Sequence, residues 1–211
     1  MDFELNYWLK KYETDYPSDT GGIYPTYLDK NGILREEKSP YFETMSNLLA
    51  TRGFLFKTEF VSIGRWKAHR QINNYQANSE EQVKKITHQV LAEKDEGKQV
   101  KLLICGELKG VKIPVASAIL TIIYPEKYCI TDYRAWRALK WWQNVSNDGH
   151  LVLSGYEKYC DYVDSLNVYN TLQSYMWYLK SLRSLSAGQK KTPRQFEMAL
   201  WKFDEMKGVK T

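Results

Sequence analysis

The sequence is poor in the residues that build metal centres and disulfide frameworks. It has three cysteines and three histidines in 211 residues. Cys105, Cys129 and Cys160 lie far apart and form no Cys-x-x-Cys pair, which favours reduced thiols and leaves too few ligands for a four-cysteine iron–sulfur cluster. The histidines also lack the spacing of zinc ligands. We therefore expect no metal and no other cofactor.

Long apolar segments are missing as well. The longest apolar run, 115–124, is too short to cross a bilayer. The amino-terminal residues include Asp2 and Glu4 and contain no apolar signal core. These features predict a cytoplasmic protein with no membrane partner, and we expect a monomer.

Glycine and proline are too scarce for a collagen-like or linker-rich chain, at twelve and six residues. The hydrophobic fraction of 43%, with 14% aromatic residues, supports a real core. This length fits one compact domain or two small lobes that share a cleft. The net charge of +5 favours a polyanionic partner only weakly, because many ordinary proteins are as basic.

Helix signals recur along the chain, whereas alternating strand patterns are nearly absent, so we predict an all-α fold. Capping boxes mark three helix starts, Ser79–Gln82, Ser154–Glu157 and Thr192–Gln195. Helices are predicted near 3–13, 40–51, 55–68, 79–95, 98–108, 114–124, 132–143, 154–166, 168–185 and 192–207. The segment 14–39 is predicted to be an irregular loop with a short extended pair.

A helix-hairpin-helix is predicted at about 98–124. Two stretches with apolar faces, 98–108 and 114–124, flank a tight turn, and Pro114 occupies the first turn of the second helix, where a missing amide costs nothing. Small residues at 116–118 allow the first helix to approach closely. This hairpin is the most informative pattern in the chain.

The turn has the composition of an anion-binding site. Gly110 permits backbone conformations in which successive amides point outwards together, and Lys109 and Lys112 add charge beside Val111. The second helix presents its positive end to a phosphate. We predict that residues Lys109–Lys112 contact the DNA backbone. The alternative is a corner between two helices of the kind found in any helical protein.

Residues 106–139 resemble the signature of the helix-hairpin-helix DNA glycosylase superfamily. In that pattern, a turn of the form L-x-G-V-x is followed by an aspartate about 22 residues after its first glycine, as Gly110 is by Asp132. The resemblance implies a single glycosylase-like domain over 1–211, with two helical lobes around a cleft. It also implies double-stranded DNA with a modified base as the partner.

Two positions depart from the family pattern. Lys112 stands where family hairpins usually have a second glycine, and Pro114 stands where bifunctional members carry a lysine nucleophile. The cysteine cluster of the iron–sulfur members is also missing. The resemblance therefore implies a cluster-free, monofunctional enzyme.

Asp132 is the predicted catalytic residue. Cleavage of an N-glycosidic bond builds positive charge on the sugar, and a carboxylate beside that carbon can stabilise the charge and orient a water molecule. A helix amino terminus keeps such a carboxylate ionised. The alternative role is simply that of a helix N-cap.

Aromatic residues are candidates for a pocket that receives an extruded base. We name Trp66, Tyr133 and Trp136 for this role, although a helical tryptophan usually packs in a core. Lys67 and Arg70, one helical turn apart beside Trp66, and also Arg134, are candidates for DNA contact.

The sequence thus predicts a monofunctional DNA glycosylase that removes a damaged or modified base. The alternatives are a non-catalytic helix-hairpin-helix DNA-binding protein and a helical interaction protein with no DNA role. The identity of the base stays open, as does the choice between repair and defence against foreign DNA with modified bases.

Overall fold

The computed structural model describes residues 4–17, 19, 25–36, 41–148 and 170–207. These residues are mostly helical, which confirms the predicted all-α class. The helices are α1 Leu5–Asp15, α2 Tyr41–Arg52, α3 Lys57–Ala68, α4 Ile72–Gln76, α5 Glu80–Ala92, α6 Glu96–Ile104, α7 Ile113–Ile123, α8 Tyr133–Asp148, α9 Leu172–Ala187 and α10 Pro193–Lys207, with a 3-10 turn at His69–Gln71. None of the helices in this described part is long and apolar enough to cross a membrane.

The helices predicted within the described residues are found with shifted ends. The extended pair expected within the loop is found as the antiparallel strands β1 Thr26–Leu28 and β2 Leu34–Glu36. The short helical segment 69–76 was not predicted, because it is too brief to show a period. The predicted helix at 154–166 and its capping box lie outside the described residues.

Two of the predicted capping boxes are confirmed. At the start of α5, the Gln82 amide donates to the Ser79 hydroxyl and the Ser79 amide donates to the Gln82 side chain, at 3.0 and 2.8 Å. The same reciprocal pair joins Thr192 and Gln195 at the start of α10, at 3.0 and 3.1 Å. Each box satisfies amides that have no partner inside the helix.

The chain divides into two compact units. One consists of Met1–Asp15 with Thr131–Thr211, and the other of Tyr16–Ile130. We call them the terminal unit and the central unit. The cleft predicted between two lobes remains a prediction.

Helix α7 is the core of the central unit. Every residue from Val115 to Ile123 is buried, and so is Ile113. A helix that is apolar on all sides must be covered on all sides, and α2, α3 and α6 pack against it. The small residues Ala116, Ser117 and Ala118 are fully buried in this packing.

A buried carboxylate connects the strands to the helices of the central unit. Glu59 of α3 is fully buried and accepts hydrogen bonds from the amides of Leu28 and Phe56, both at 2.9 Å, and from the Arg52 guanidinium at 2.5 Å. These partners compensate for the desolvation of the charge. Burial, followed by the negative charge of Glu59, raises the pKa of Tyr41 well above its ordinary value.

The terminal unit is built around α10, which packs against α1, α8 and α9. Asp204 of α10 is fully buried and holds the Arg137 guanidinium of α8 through two hydrogen bonds, at 2.7 and 2.6 Å. On the α1 side, the buried Lys202 ammonium lies 2.6 Å from the Asp15 carboxylate. The hydrogen bond from Lys202 lowers the pKa of Asp15.

Candidate nucleic-acid interface and active site

The connection between α6 and α7 contains the predicted DNA-binding turn. Asp95 caps α6 by accepting the Lys98 amide at 2.8 Å, and α6 ends at Ile104. This end is earlier than predicted, so residues 105–112 form a longer connection than a tight turn. Helix α7 then begins at Ile113, with proline in its first turn as expected.

Gly110 adopts the left-handed conformation, with a φ of +85°. The side chains of Lys109 and Lys112 on either side are exposed, whereas Val111 is buried. Within the described residues, the amides of Gly110, Val111 and Lys112 donate no hydrogen bond. Three amide donors and two lysine side chains thus lie before a helix amino terminus, an arrangement that in general favours an anion.

A buried asparagine fixes this turn. The Asn78 side-chain oxygen accepts the Lys109 amide at 2.7 Å, and its nitrogen donates to the Lys109 carbonyl at 3.2 Å. The same nitrogen also donates to the carbonyls of Asn74 and Tyr75, at 2.9 and 3.0 Å. Asn78 was missed by the sequence analysis, because nothing local in the chain marks a partner 31 residues away.

An aromatic ring is wedged between the turn and α3. A Cβ atom added at Gly110 would lie 2.8 Å from the Tyr75 ring, and one added at Gly64 would lie 2.6 Å from its other edge. Tyr75 is fully buried, and its hydroxyl donates to the Ala68 carbonyl at 3.3 Å. Both glycines are therefore needed for the close approach of this ring.

Asp132 stands directly before α8. Its carboxylate accepts the Arg134 amide at 3.0 Å, and its carbonyl accepts the Trp136 amide at 2.9 Å. The side chain is half-buried. Asp132 thus occupies the N-cap position, which orients its carboxylate at the positive end of α8. Its catalytic role remains a prediction.

The predicted DNA contact Arg134 lies near the buried Asp204. One guanidinium nitrogen of Arg134 is 3.8 Å from the Asp204 carboxylate, and the group stands 5.6 Å from the centre of the Trp201 ring. The predicted pocket residue Tyr133 lies beneath the Arg137 guanidinium, 4.9 Å from the ring centre. Arg134 is 37% exposed and keeps access to solvent.

Trp136, the other pocket candidate on α8, is buried at 4% exposure. Its ring lies edge-on to Trp177 at 6.3 Å. The Lys140 ammonium stands 3.7 Å from the centre of the Trp177 ring and 5.4 Å from that of Trp136. Burial lowers the pKa of Lys140.

Trp66 lines an open groove of about 1060 Å³ in the central unit. The groove lies along α3 and is bordered by the strands and by α4. The described lining does not include Lys67 or Arg70, although the sequence analysis grouped both with Trp66. It includes Arg65 and His69 instead.

Comparisons with protein-family models, with curated proteins and with solved structures found no match. The family resemblance of Gly110 and Asp132 therefore rests on the sequence pattern.

Proposed function

We propose that the protein is a monofunctional DNA glycosylase that removes a damaged or modified base from double-stranded DNA. The observation that supports this best is the turn at Gly110. Its three amides donate no hydrogen bond within the described residues, and two exposed lysines flank it. Asp132, at the amino terminus of α8, follows at the spacing of the glycosylase pattern.

In this proposal the turn binds a DNA phosphate. The amides of Gly110, Val111 and Lys112 donate to the phosphate oxygens, and the α7 amino terminus contributes its dipole. Contacts of this kind position a protein on the duplex without reading its sequence. Asn78 holds the turn in shape from the protein side.

Asp132 carries out the chemistry in this proposal. As the bond between the sugar and the base breaks, its electrons leave with the base, and the sugar carbon becomes positive. The carboxylate stabilises this cation and accepts a proton from the water molecule that attacks the carbon. That proton is then transferred to the departing base anion, which restores the carboxylate. The products are a free base and an abasic site. Pro114 has no amine, so the family's Schiff-base step is missing at that position.

The central experiment compares Asp132→Asn with the parent protein on DNA that carries a panel of modified bases. Asparagine also caps helices, so the substitution should change the free energy of unfolding, as measured by a melting curve, by no more than about 1 kcal/mol. Single-turnover base release should fall by about a hundredfold or more, because a charge that stabilises the transition state is lost. DNA affinity should stay the same or rise slightly.

Each outcome of that experiment has a clear meaning. An early-melting variant would make Asp132 a structural cap. A stable variant that excises at the parent rate would require another catalytic acid. A parent protein that binds DNA but releases no base from any substrate in the panel would be a non-catalytic DNA-binding protein.

A second experiment tests the turn itself. Lys112→Glu should weaken binding to many DNA sequences alike and reduce the slope of log affinity against log salt by about one. Lys94→Glu is the matched control, because Lys94 is exposed and precedes the opposite end of α6. Equal effects of the two substitutions on DNA binding would show that the turn does not contact DNA.

A further inference from the structure

One face of α3 lines the groove along the full length of the helix. Lys57, Val61 and Arg65 follow one another at intervals of four residues on α3, and His69 continues the row in the 3-10 turn that follows. All four line the groove. This spacing places side chains in a row on one helix face. The opposite face of α3, with Phe60 and Ile63, is buried in the core of the central unit.

The two basic side chains on this face, those of Lys57 and Arg65, are not paired with any acidic residue that the structure describes. In the described part of the chain, the side chains of Lys57, Arg65 and His69 make no ion pair and no hydrogen bond. The acidic residue on the rim, Glu80, is engaged elsewhere, because its carboxylate lies 3.3 Å from the Lys84 ammonium and accepts the Lys57 amide at 3.0 Å. Within the described lining, the positive charges of Lys57 and Arg65 outweigh the negative charge of Glu80.

An aromatic ring and apolar side chains share the groove with these cations. Trp66 follows Arg65 on α3 and is half-buried, and its ring lies edge-on to Phe42 at 6.1 Å, which restrains it. Leu34 on the strand side is 56% exposed, and Ile72 borders the groove from α4. Hydrophobic surface beside unpaired cations suits a ligand that has both an aromatic ring and a negative charge.

We propose that the α3 groove is a nucleotide-binding site that takes an unpaired nucleotide. The base packs against Trp66 and the apolar wall, and the phosphate is bound by Arg65 and Lys57. Aromatic stacking beside a basic track is how proteins hold single strands without reading their sequence. The nucleotide can belong to an unpaired DNA strand or be free in solution, since the recognised groups are the same. This inference does not depend on the proposed glycosylase chemistry.

The test measures the binding of two probes to the intact protein, a short fluorescein-labelled oligothymidylate by anisotropy and free thymidine monophosphate by calorimetry. Arg65→Glu should lower oligothymidylate affinity and reduce the salt slope by about 0.7 for one lost phosphate contact on a single strand. Trp66→Ala should lower the affinity by about 5- to 150-fold, the range for one lost stacking contact. Lys94→Glu, an equal change of charge at an exposed position outside the groove, is the control.

The results separate the sources of the ligand. Arg65-dependent binding of the oligothymidylate alone assigns the groove to a DNA strand, and Arg65-dependent binding of the monophosphate assigns it to a free nucleotide. The proposal is overturned if neither probe binds, or if Arg65→Glu and Lys94→Glu weaken binding equally. Trp66→Ala is interpreted only if its melting temperature equals that of the parent protein. Arg65 is exposed, so its replacement should leave the fold intact.

The groove and the glycosylase chemistry can fail separately. Base release is measured on modified duplex DNA in the same variants. Arg65-dependent binding without any base release would count against the chemistry at Asp132 and leave the groove assigned. Base release without Arg65-dependent binding of either probe would count against the groove alone.

Discussion

Replacement of Gly110 by alanine should destabilise the protein through two separate effects. The φ of +85° is strained for a residue with a Cβ, at a cost of about 1–2 kcal/mol. The new Cβ would also lie 2.8 Å from the Tyr75 ring and 2.9 Å from the Asn74 Cβ. Overpacking of this kind costs about 1–3 kcal/mol. The expected loss is therefore about 2–5 kcal/mol.

The Tyr75 ring has little room to relieve this clash. Its other edge already faces Gly64 so closely that a Cβ there would lie 2.6 Å away, and the ring is fully buried. A shift away from Gly110 therefore pushes the ring into α3. For this reason we expect the upper part of the range.

Two further glycines separate the contributions. Gly32 has a φ of +74° and no heavy atom within 4 Å of an added Cβ, so Gly32→Ala tests the backbone cost alone, about 1–2 kcal/mol. Gly64 lies inside α3, where alanine gains about 1 kcal/mol in helix propensity, so Gly64→Ala tests the clash with Tyr75 against that gain.

The assay is urea unfolding followed by circular dichroism, with the slope of free energy against denaturant compared among the variants. Gly110→Ala should lower the free energy of unfolding by clearly more than Gly32→Ala does. A Gly110→Ala variant that loses no more than Gly32→Ala would refute the close contact between the turn and Tyr75. DNA affinity measured on the same variants reports whether displacement of the turn affects binding.

Three other substitutions test buried polar groups in the fold. Asn78→Ala should cost about 1–3 kcal/mol by leaving the Lys109 amide and carbonyl without their partner, and should weaken DNA binding; unchanged stability in urea would contradict this role. Asp204→Asn should cost about 3 kcal/mol or more, because the negative charge beside the buried Arg137 guanidinium is lost, and a melting curve like that of the parent would refute this. Tyr41→Phe should raise stability at neutral pH by about 1 kcal/mol, because the buried hydroxyl has no hydrogen-bond partner within the described residues. The pKa of Tyr41 is raised in the folded state, so folding opposes ionisation of its hydroxyl, and the free energy of unfolding falls as the pH rises above about 10. The phenylalanine variant has no such hydroxyl and should lose less stability between neutral and strongly alkaline pH. Equal losses in the two proteins would contradict the assignment.

The features that sequence analysis predicted correctly are local ones. The capping boxes at Ser79 and Thr192 each involve only residues within one helical turn, so both partners of each box can be recognised in the sequence. The apolar face expected for the second hairpin helix is buried in α7, and burial extends to every residue from Val115 to Ile123. Gly110, placed between two lysines before a proline-started helix, was correctly identified as a turn residue, and its φ is positive.

The features that were missed depend on residues distant in the chain. Asn78 reaches Lys109 across 31 residues, and Asp204 reaches Arg137 across 67. Neither pairing has a sequence signal, because any asparagine or aspartate on a helix can equally face solvent. Trp66, a pocket candidate from the sequence, lines the groove, whereas the DNA contacts of Lys67 and Arg70 stay predictions.

The sequence by itself determined where the longer described helices lie and where several of them begin. These properties follow from hydrogen bonding and periodicity within a few residues. Tertiary packing decided which side of α3 lines the groove, how Tyr75 fits between two glycines, and which buried charge meets which partner. Such choices depend on surfaces that are distant in the chain and become buried against each other. The cost of an unpaired polar group or of an extra Cβ there depends on which residue packs against it.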